Sequence, residues 1–327
     1  MPKPKVFIAR MISEVGLDLI RAECDADIWP ERLPPSPDVL RERVRDCVGL
    51  VSLLTDKVDA ALLAAAPNLK VISNFAVGFN NVDVPAATAR KIPVGNTPGV
   101  LTEATADIAV TLLLAAARRL GESAADAKEG RWLTWEPRGW LGADLVGRTL
   151  GIVGMGRIGH AVAKRLHFGW GMRVLYTARS PKPEIDSELG AQAASFERLL
   201  AESDFVSVHA DLNPTTKGMF GAAQFAQMKR SAVFVNTARG PLVDQSALAH
   251  GLRSGTIFAA GIDVTDPEPL PADHELYTLP NCIVAPHIAS ATPDTRNAMA
   301  KLCAENLLAG VRGERLPNCV NGEVYSG

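Results

Sequence analysis

Three residues carry side chains suited to proton and anion chemistry, and each stands just past an apolar run. They are Arg239 in VFVNTARGPLVD (233–244), Glu268 in GIDVTDPEP (261–269) and His287 in NCIVAPHIASAT (281–292). An arginine fork holds a carboxylate through two N–H bonds and polarises a neighbouring carbonyl. An imidazole titrates close to neutral pH and is suited to give a proton to a forming alkoxide. A carboxylate beside it fixes the ring and favours its charged form. Taken singly, the three read equally well as a surface charge, a solvated loop acid and a histidine bonded in a crossover. Together they suit hydride transfer to a 2-oxo acid, with no nucleophile beside them. His160, His167, His209, His250 and His274 have less favourable settings.

A second constellation lies in TLGIVGMGRIGHAV (149–162), where Gly154, Gly156 and Gly159 spell G-x-G-x-x-G between an apolar strand and a helix. In that context the first glycine permits the tight turn, the second lets the backbone approach a pyrophosphate, and the third lets helix pack on strand. The helix N-terminus then offers N–H groups to the anion. Downstream, VLYTARSPK (174–182) places Thr177 where an NAD-specific turn carries an acid. Thr177 removes the repulsion of a 2′-phosphate. Arg179 is placed to grip that phosphate, Ser180 to donate a hydroxyl, and Lys182 to add a point charge. The reading is a turn tuned to NADPH, with NADH possible; the plain alternative is an exposed basic loop.

The elements that must position these residues alternate between strand and helix. Strand runs are KVFIAR (5–10), GLVSLL (49–54), KVISNF (70–75), TLGIVG (149–154), RVLYT (173–177), FVSVH (205–209), AVFVN (232–236), AAGIDV (259–264) and CIVAP (282–286). Several are continuously apolar, as parallel strands covered on both faces are. Helical patterns span 157–168, 244–253 from Asp244, 102–120 with Thr102 as N-cap, and 293–311. The βαβ alternation predicts an α/β protein with two doubly wound parallel sheets. The Trp-rich GRWLTWEPRGWLG (130–142) is too long and aromatic for a linker. Packing within that segment is one reading of Trp132, Trp135 and Trp140.

Composition bounds the rest. The chain has 327 residues, 47% hydrophobic and 21% charged, with a formal net charge of −2. That suits a globular protein of about two domains and offers no basic surface for nucleic acid. TLLLAAA (111–117) ends at Arg118 and Arg119, far short of a membrane span. Cys24, Cys47, Cys282, Cys303 and Cys319 show no CxxC spacing and read as buried thiols of a cytoplasmic protein, neither disulfides nor metal ligands.

NTARGPLVD, DVTDPEP, PHIASAT and the glycine turn together resemble the D-isomer-specific 2-hydroxyacid dehydrogenases, over nearly the whole chain. GNTPGVLTEATAD, the Trp-rich segment and LYTARSPKPE are most similar to the family's glyoxylate/hydroxypyruvate reductases. The resemblance implies that Arg239, Glu268 and His287 form the catalytic triad, and that Val77 and Gly78 of NFAVGFNNVD bind the substrate carboxylate through backbone N–H groups. It adds Ser290 to the substrate site and Thr105, Arg157, Ile158, Pro214, Thr237 and Asp263 to the cofactor site. It implies a Rossmann-like cofactor domain, 100–287, inserted into a substrate domain formed by 1–99 and 288–327, with hinge closure excluding water. It also implies a homodimer joined by an arm over about 100–142, with Trp135 reaching the partner's active site. Reduction of D-lactate-type, 2-ketogluconate or phosphoglycerate-type substrates stays open. So does a dinucleotide-sensing corepressor, which is expected to carry extensions that this chain lacks.

Overall fold

All nine apolar runs become strands in the computed structural model, which describes residues 2–326. The first unit comprises residues 1–101 and 291–327. Its strands are β1 (Lys5–Ile8), β2 (Asp25–Ile28), β3 (Gly49–Ser52), β4 (Val71–Asn74) and β5 (Val94–Gly95). They lie in the order β2-β1-β3-β4-β5, all parallel. β3 and β4 are buried at every position, so their apolar runs carry no alternation. The helix Pro293–Arg312 opens on Thr292, whose hydroxyl accepts from Thr295 N–H, and ends at Gly313 in the left-handed region. It returns to this unit at Ser73, whose hydroxyl donates to Cys303 O at 2.8 Å.

The second unit, residues 102–290, holds β6 (Thr149–Val153), β7 (Arg173–Thr177), β8 (Gln192–Ala193), β9 (Phe205–Val208), β10 (Val233–Asn236), β11 (Ala259–Ile262) and β12 (Cys282–Val284). The order is β12-β11-β10-β9-β6-β7-β8, again all parallel. Both faces are covered: Val233 and Val235 join one apolar core, and Phe234 between them joins the other. Strand order reverses between β6 and β9, and open α/β sheets build ligand crevices at that switch point.

Several local expectations change. β2, DADI, is an edge strand without a buried position, so no apolar run marks it. β5 and β8 have two residues each, too few for a pattern. The 102–120 helix begins at Thr102 itself, not after it as a cap, and stops at Ala117. Arg119 takes φ 53° there, and a second helix, Leu120–Lys128, restarts the chain. Packing within the Trp-rich segment does not hold for Trp132 and Trp135, which are 63% and 80% exposed. Trp140 alone is tied down, its indole N–H donating to Asp126 at 2.8 Å. The five cysteines are free; Cys24, Cys47 and Cys303 are buried, and Cys282 and Cys319 half-buried. Burial pushes Cys47 up to about 11 and Cys282 and Cys303 up to about 12, so these thiols stay protonated.

Candidate active site

The glycine turn follows β6 at the switch point. Gly154 takes φ +99° with His209 O only 2.6 Å from where a Cβ would sit, so both conformation and space demand glycine. A Cβ on Gly159 would meet Gly154 O at 2.4 Å, which is the close helix–strand approach expected of the third glycine. Nothing lies within 4 Å of a Cβ on Gly156, the N-cap of the helix Arg157–Trp170. His160 N–H makes the first helical bond, to Gly156 O at 2.9 Å. The N–H groups of Arg157, Ile158 and Gly159 precede it and, as at any helix start, donate to no described backbone carbonyl.

Thr177 ends β7, and its carbonyl accepts from Gly154 N–H at 3.0 Å, joining the two turns. Arg179 is 93% exposed and its Nη2 lies 3.6 Å from Asp211 Oδ2, itself 82% exposed. Ser180 is exposed; Lys182 sits at the N-cap position of the following helix without a side-chain cap bond, its N–H donating to the Tyr176 hydroxyl at 3.1 Å. Pro214 lies exposed in the loop after β9. Thr105 is buried in the helix Thr102–Ala117. Thr237, just past β10, is buried, and its Oγ1 has no partner among the described residues.

The three acid–base and anion candidates follow adjacent strands. Past β10, Asn236 shapes the Arg239 loop: its Oδ1 accepts from Ala238 N–H at 3.0 Å and its Nδ2 donates to Arg239 O at 2.9 Å. Burial pulls the Arg239 guanidinium below its ordinary value, and the charges of Glu268 and Asp211 oppose that pull. Past β11, the loop carrying Glu268 is pinned by Gln245, whose Oε1 accepts from Asp266 N–H at 3.1 Å. Past β12, His287 takes φ 54°, and its Nδ1 is hydrogen-bonded to Glu268 Oε1. The buried Asp263 at the end of β11 accepts from Ile288 and Ala289 N–H, both at 2.8 Å, and so clamps the backbone behind His287. Burial pushes the Asp263 carboxyl up, and those two N–H bonds counter it. Ser290, half-buried, closes this unit.

In the first unit, the loop after β4 carries Val77 and Gly78. Val77 O accepts from Asn96 Nδ2 at 2.8 Å, and Gly78 O from Asn74 Nδ2 at 2.9 Å. Asn74, Asn96, Asn236 and the clamping bonds of Asp263 were not read from the sequence. Their one signal is a polar residue at or just past the end of a buried strand, as in VISN, VFVN and GID.

The family of D-isomer-specific 2-hydroxyacid dehydrogenase NAD-binding domains matches residues 110–289. A glyoxylate reductase of Korarchaeum cryptofilum is 51% identical over 98% of this chain and 97% of its own length. A solved protein of Thermus thermophilus superposes with a TM-score of 0.90 at 48% identity, covering 97% of this chain and 99% of that one. An NADPH-dependent glyoxylate/hydroxypyruvate reductase of Sinorhizobium meliloti, solved with NADP and malonate, gives 0.85 at 31% identity over 98% and 97%. The chain therefore belongs to the D-isomer-specific 2-hydroxyacid dehydrogenase family and is an oxidoreductase of that family. Its similar relatives carry the name glyoxylate reductase. A nicotinamide dinucleotide fits the second unit: the space at Gly156, where a Cβ would meet nothing within 4 Å, leaves room for a pyrophosphate at the helix start, and the Thr237 hydroxyl has no partner among the described residues.

Proposed function

We propose that this chain is an NADPH-preferring reductase of small 2-oxo acids, converting glyoxylate to glycolate and hydroxypyruvate to D-glycerate. The observation that carries the reading is the His287–Glu268 pair on strand ends adjacent to the one that presents Arg239. Arg239 holds the substrate carboxylate and polarises the carbonyl through its fork. Val77 and Gly78 add backbone N–H bonds to the same carboxylate. Glu268 holds Nδ1 of His287, so the proton passes from Nε2 to the carbonyl oxygen. The dinucleotide supplies the hydride. Gly154–Gly159, with Arg157 and Ile158, cradle its pyrophosphate; Thr105, Pro214, Thr237 and Asp263 complete the cofactor side, and Ser290 the substrate side. Thr177 spares a 2′-phosphate from repulsion, and Arg179, Ser180 and Lys182 bind it.

The domains divide the work, 100–287 binding cofactor and 1–99 with 288–327 binding substrate. The exposed Trp132, Leu133 and Trp135 supply an apolar surface for a homodimer, from which Trp135 limits substrate size in the partner's site. No described helix is long and apolar enough to cross a membrane, and five free thiols suit a cytoplasmic setting. The test is kcat/KM for glyoxylate, hydroxypyruvate and bulkier 2-oxo acids with NADPH and NADH. Higher values for the two small substrates with NADPH are expected; equal or higher values with NADH, or for bulky acids, overturn the corresponding part.

A further inference from the structure

We infer that Asn96 and Asn74 are positioning residues that aim the backbone N–H groups of Gly78 and Phe79, next to that of Val77, at the substrate carboxylate. This rests on the proposed reading of the loop as a carboxylate site and extends it by one donor and two side chains.

In a trans peptide the carbonyl and the N–H of the same plane point opposite ways, so fixing one fixes the other. Three consecutive planes are fixed here through their carbonyls. Ala76 O accepts from Thr97 N–H at 2.9 Å, which sets the Val77 N–H. Val77 O accepts from Asn96 Nδ2 at 2.8 Å, which sets the Gly78 N–H. Gly78 O accepts from Asn74 Nδ2 at 2.9 Å, which sets the Phe79 N–H. None of the three N–H groups donates to any described residue. Successive N–H groups turned the same way form an anion-binding concavity.

The anchors are themselves held. Asn74 is fully buried, and its Oδ1 accepts from the Ser52 hydroxyl at 3.0 Å and from Asn81 Nδ2 at 3.2 Å. Asn96 is gripped through its own carbonyl by Asn306 Nδ2 at 2.9 Å, from the helix Pro293–Arg312. The loop's aim is thus set by the Thr97 backbone N–H and by side-chain amides held from a strand and a distant helix, and the side chains of Val77 and Phe79 do not enter it.

The test uses Asn96→Leu and Asn96→Asp in the full-length enzyme. The first removes the donor; the second keeps the shape and faces Val77 O with an acceptor. The readouts are KM and kcat for glyoxylate, the inhibition constant of oxalate, NADPH affinity and Tm. Losing one oriented bond to a carboxylate predicts that KM and the oxalate constant rise by about 10- to 100-fold. NADPH affinity and Tm should hold. Asn74→Asp should repeat the rise in KM and in the oxalate constant through the Phe79 N–H with NADPH affinity held, while its buried carboxylate lowers Tm. If a folded Asn96 variant keeps the KM and oxalate constant of the unmodified enzyme, the inference fails. Equal losses of NADPH affinity and Tm in the Asn96 variants overturn it too, because they indicate a general structural role. Failure of the underlying reading shows separately, as an unmodified enzyme that neither turns over 2-oxo acids nor is inhibited by oxalate.

Discussion

His287 meets Glu268 through Nδ1, which leaves Nε2 as the ring nitrogen that has no bond to a described residue. A proton carried at Nε2 is therefore available to a substrate while the other nitrogen keeps the ring oriented. Replacing His287 with Ala removes the donor, and loss of a general acid costs about 10²–10⁴ in rate. We expect kcat to fall by that factor with NADPH affinity intact, as read by steady-state kinetics and cofactor titration. A variant with near-normal kcat would show that the proton comes from elsewhere.

Glu268→Gln keeps a hydrogen-bonding partner and removes a negative charge. A bond to a neutral amide is weaker than one to a carboxylate, so the ring is held less firmly. We expect kcat for glyoxylate to fall with NADPH affinity intact. An unchanged kcat would contradict the pairing.

Arg239→Lys retains charge on a flexible stem but loses the planar fork. KM for glyoxylate should rise and kcat should fall, with NADPH affinity little changed. Unchanged kinetic constants would remove Arg239 from the substrate site.

At Arg179 the neighbour matters. A charge-assisted bond contributes about 1.5–3 kcal/mol, so Arg179→Ala should cost NADPH about 10- to 100-fold in kcat/KM and leave NADH unmoved. Asp211 lies 3.6 Å from the same guanidinium in a highly exposed pair. Asp211→Asn should therefore favour NADPH further, since a carboxylate no longer competes with the phosphate. NADPH kinetics indifferent to both changes would mean that another group reads the 2′-phosphate.

His209 gives a stability prediction. Burial pulls its imidazole down to about 3, and its Nε2 is bonded to the Ser207 hydroxyl at 2.8 Å. The unfolded chain binds a proton here below about pH 6.5 and the folded chain does not, so stability is full above that value and falls as pH drops towards 3. His209→Gln keeps a polar partner without the titration. Its denaturant midpoint should depend less on pH between 6.5 and 3 than that of the unmodified protein; parallel curves would exclude His209 as the cause.

Legibility from sequence followed the physics of burial. Long parallel strands announce themselves through apolar runs, and a polar residue a few positions past such a run lands at the sheet edge where sites form; hence Arg239, Glu268, His287 and the glycine turn could be placed. β2, with aspartates at its first and third positions, carries no such run. The bond from Asp263 to the backbone after His287 spans 25 residues, and that from Asn306 to Asn96 spans 210. No local periodicity encodes a side chain bonded to a distant backbone. The exposed arm was unreadable for another reason: aromatic residues look the same in sequence whether their own chain or a second one covers them.

The interrupted first unit has a consequence for synthesis. Residues 102–290 hold their whole seven-stranded sheet in one continuous stretch, so that unit can close as soon as it leaves the ribosome. The first unit cannot. Its five strands emerge early, yet Ser73 waits for Cys303, Asn96 for Asn306, and the Val94 N–H for Asn321 Oδ1. Its apolar β3 and β4 stay uncovered on one side until the final helix arrives. Of the two units, the one begun first is finished last, and its apolar strand faces stay exposed for longest.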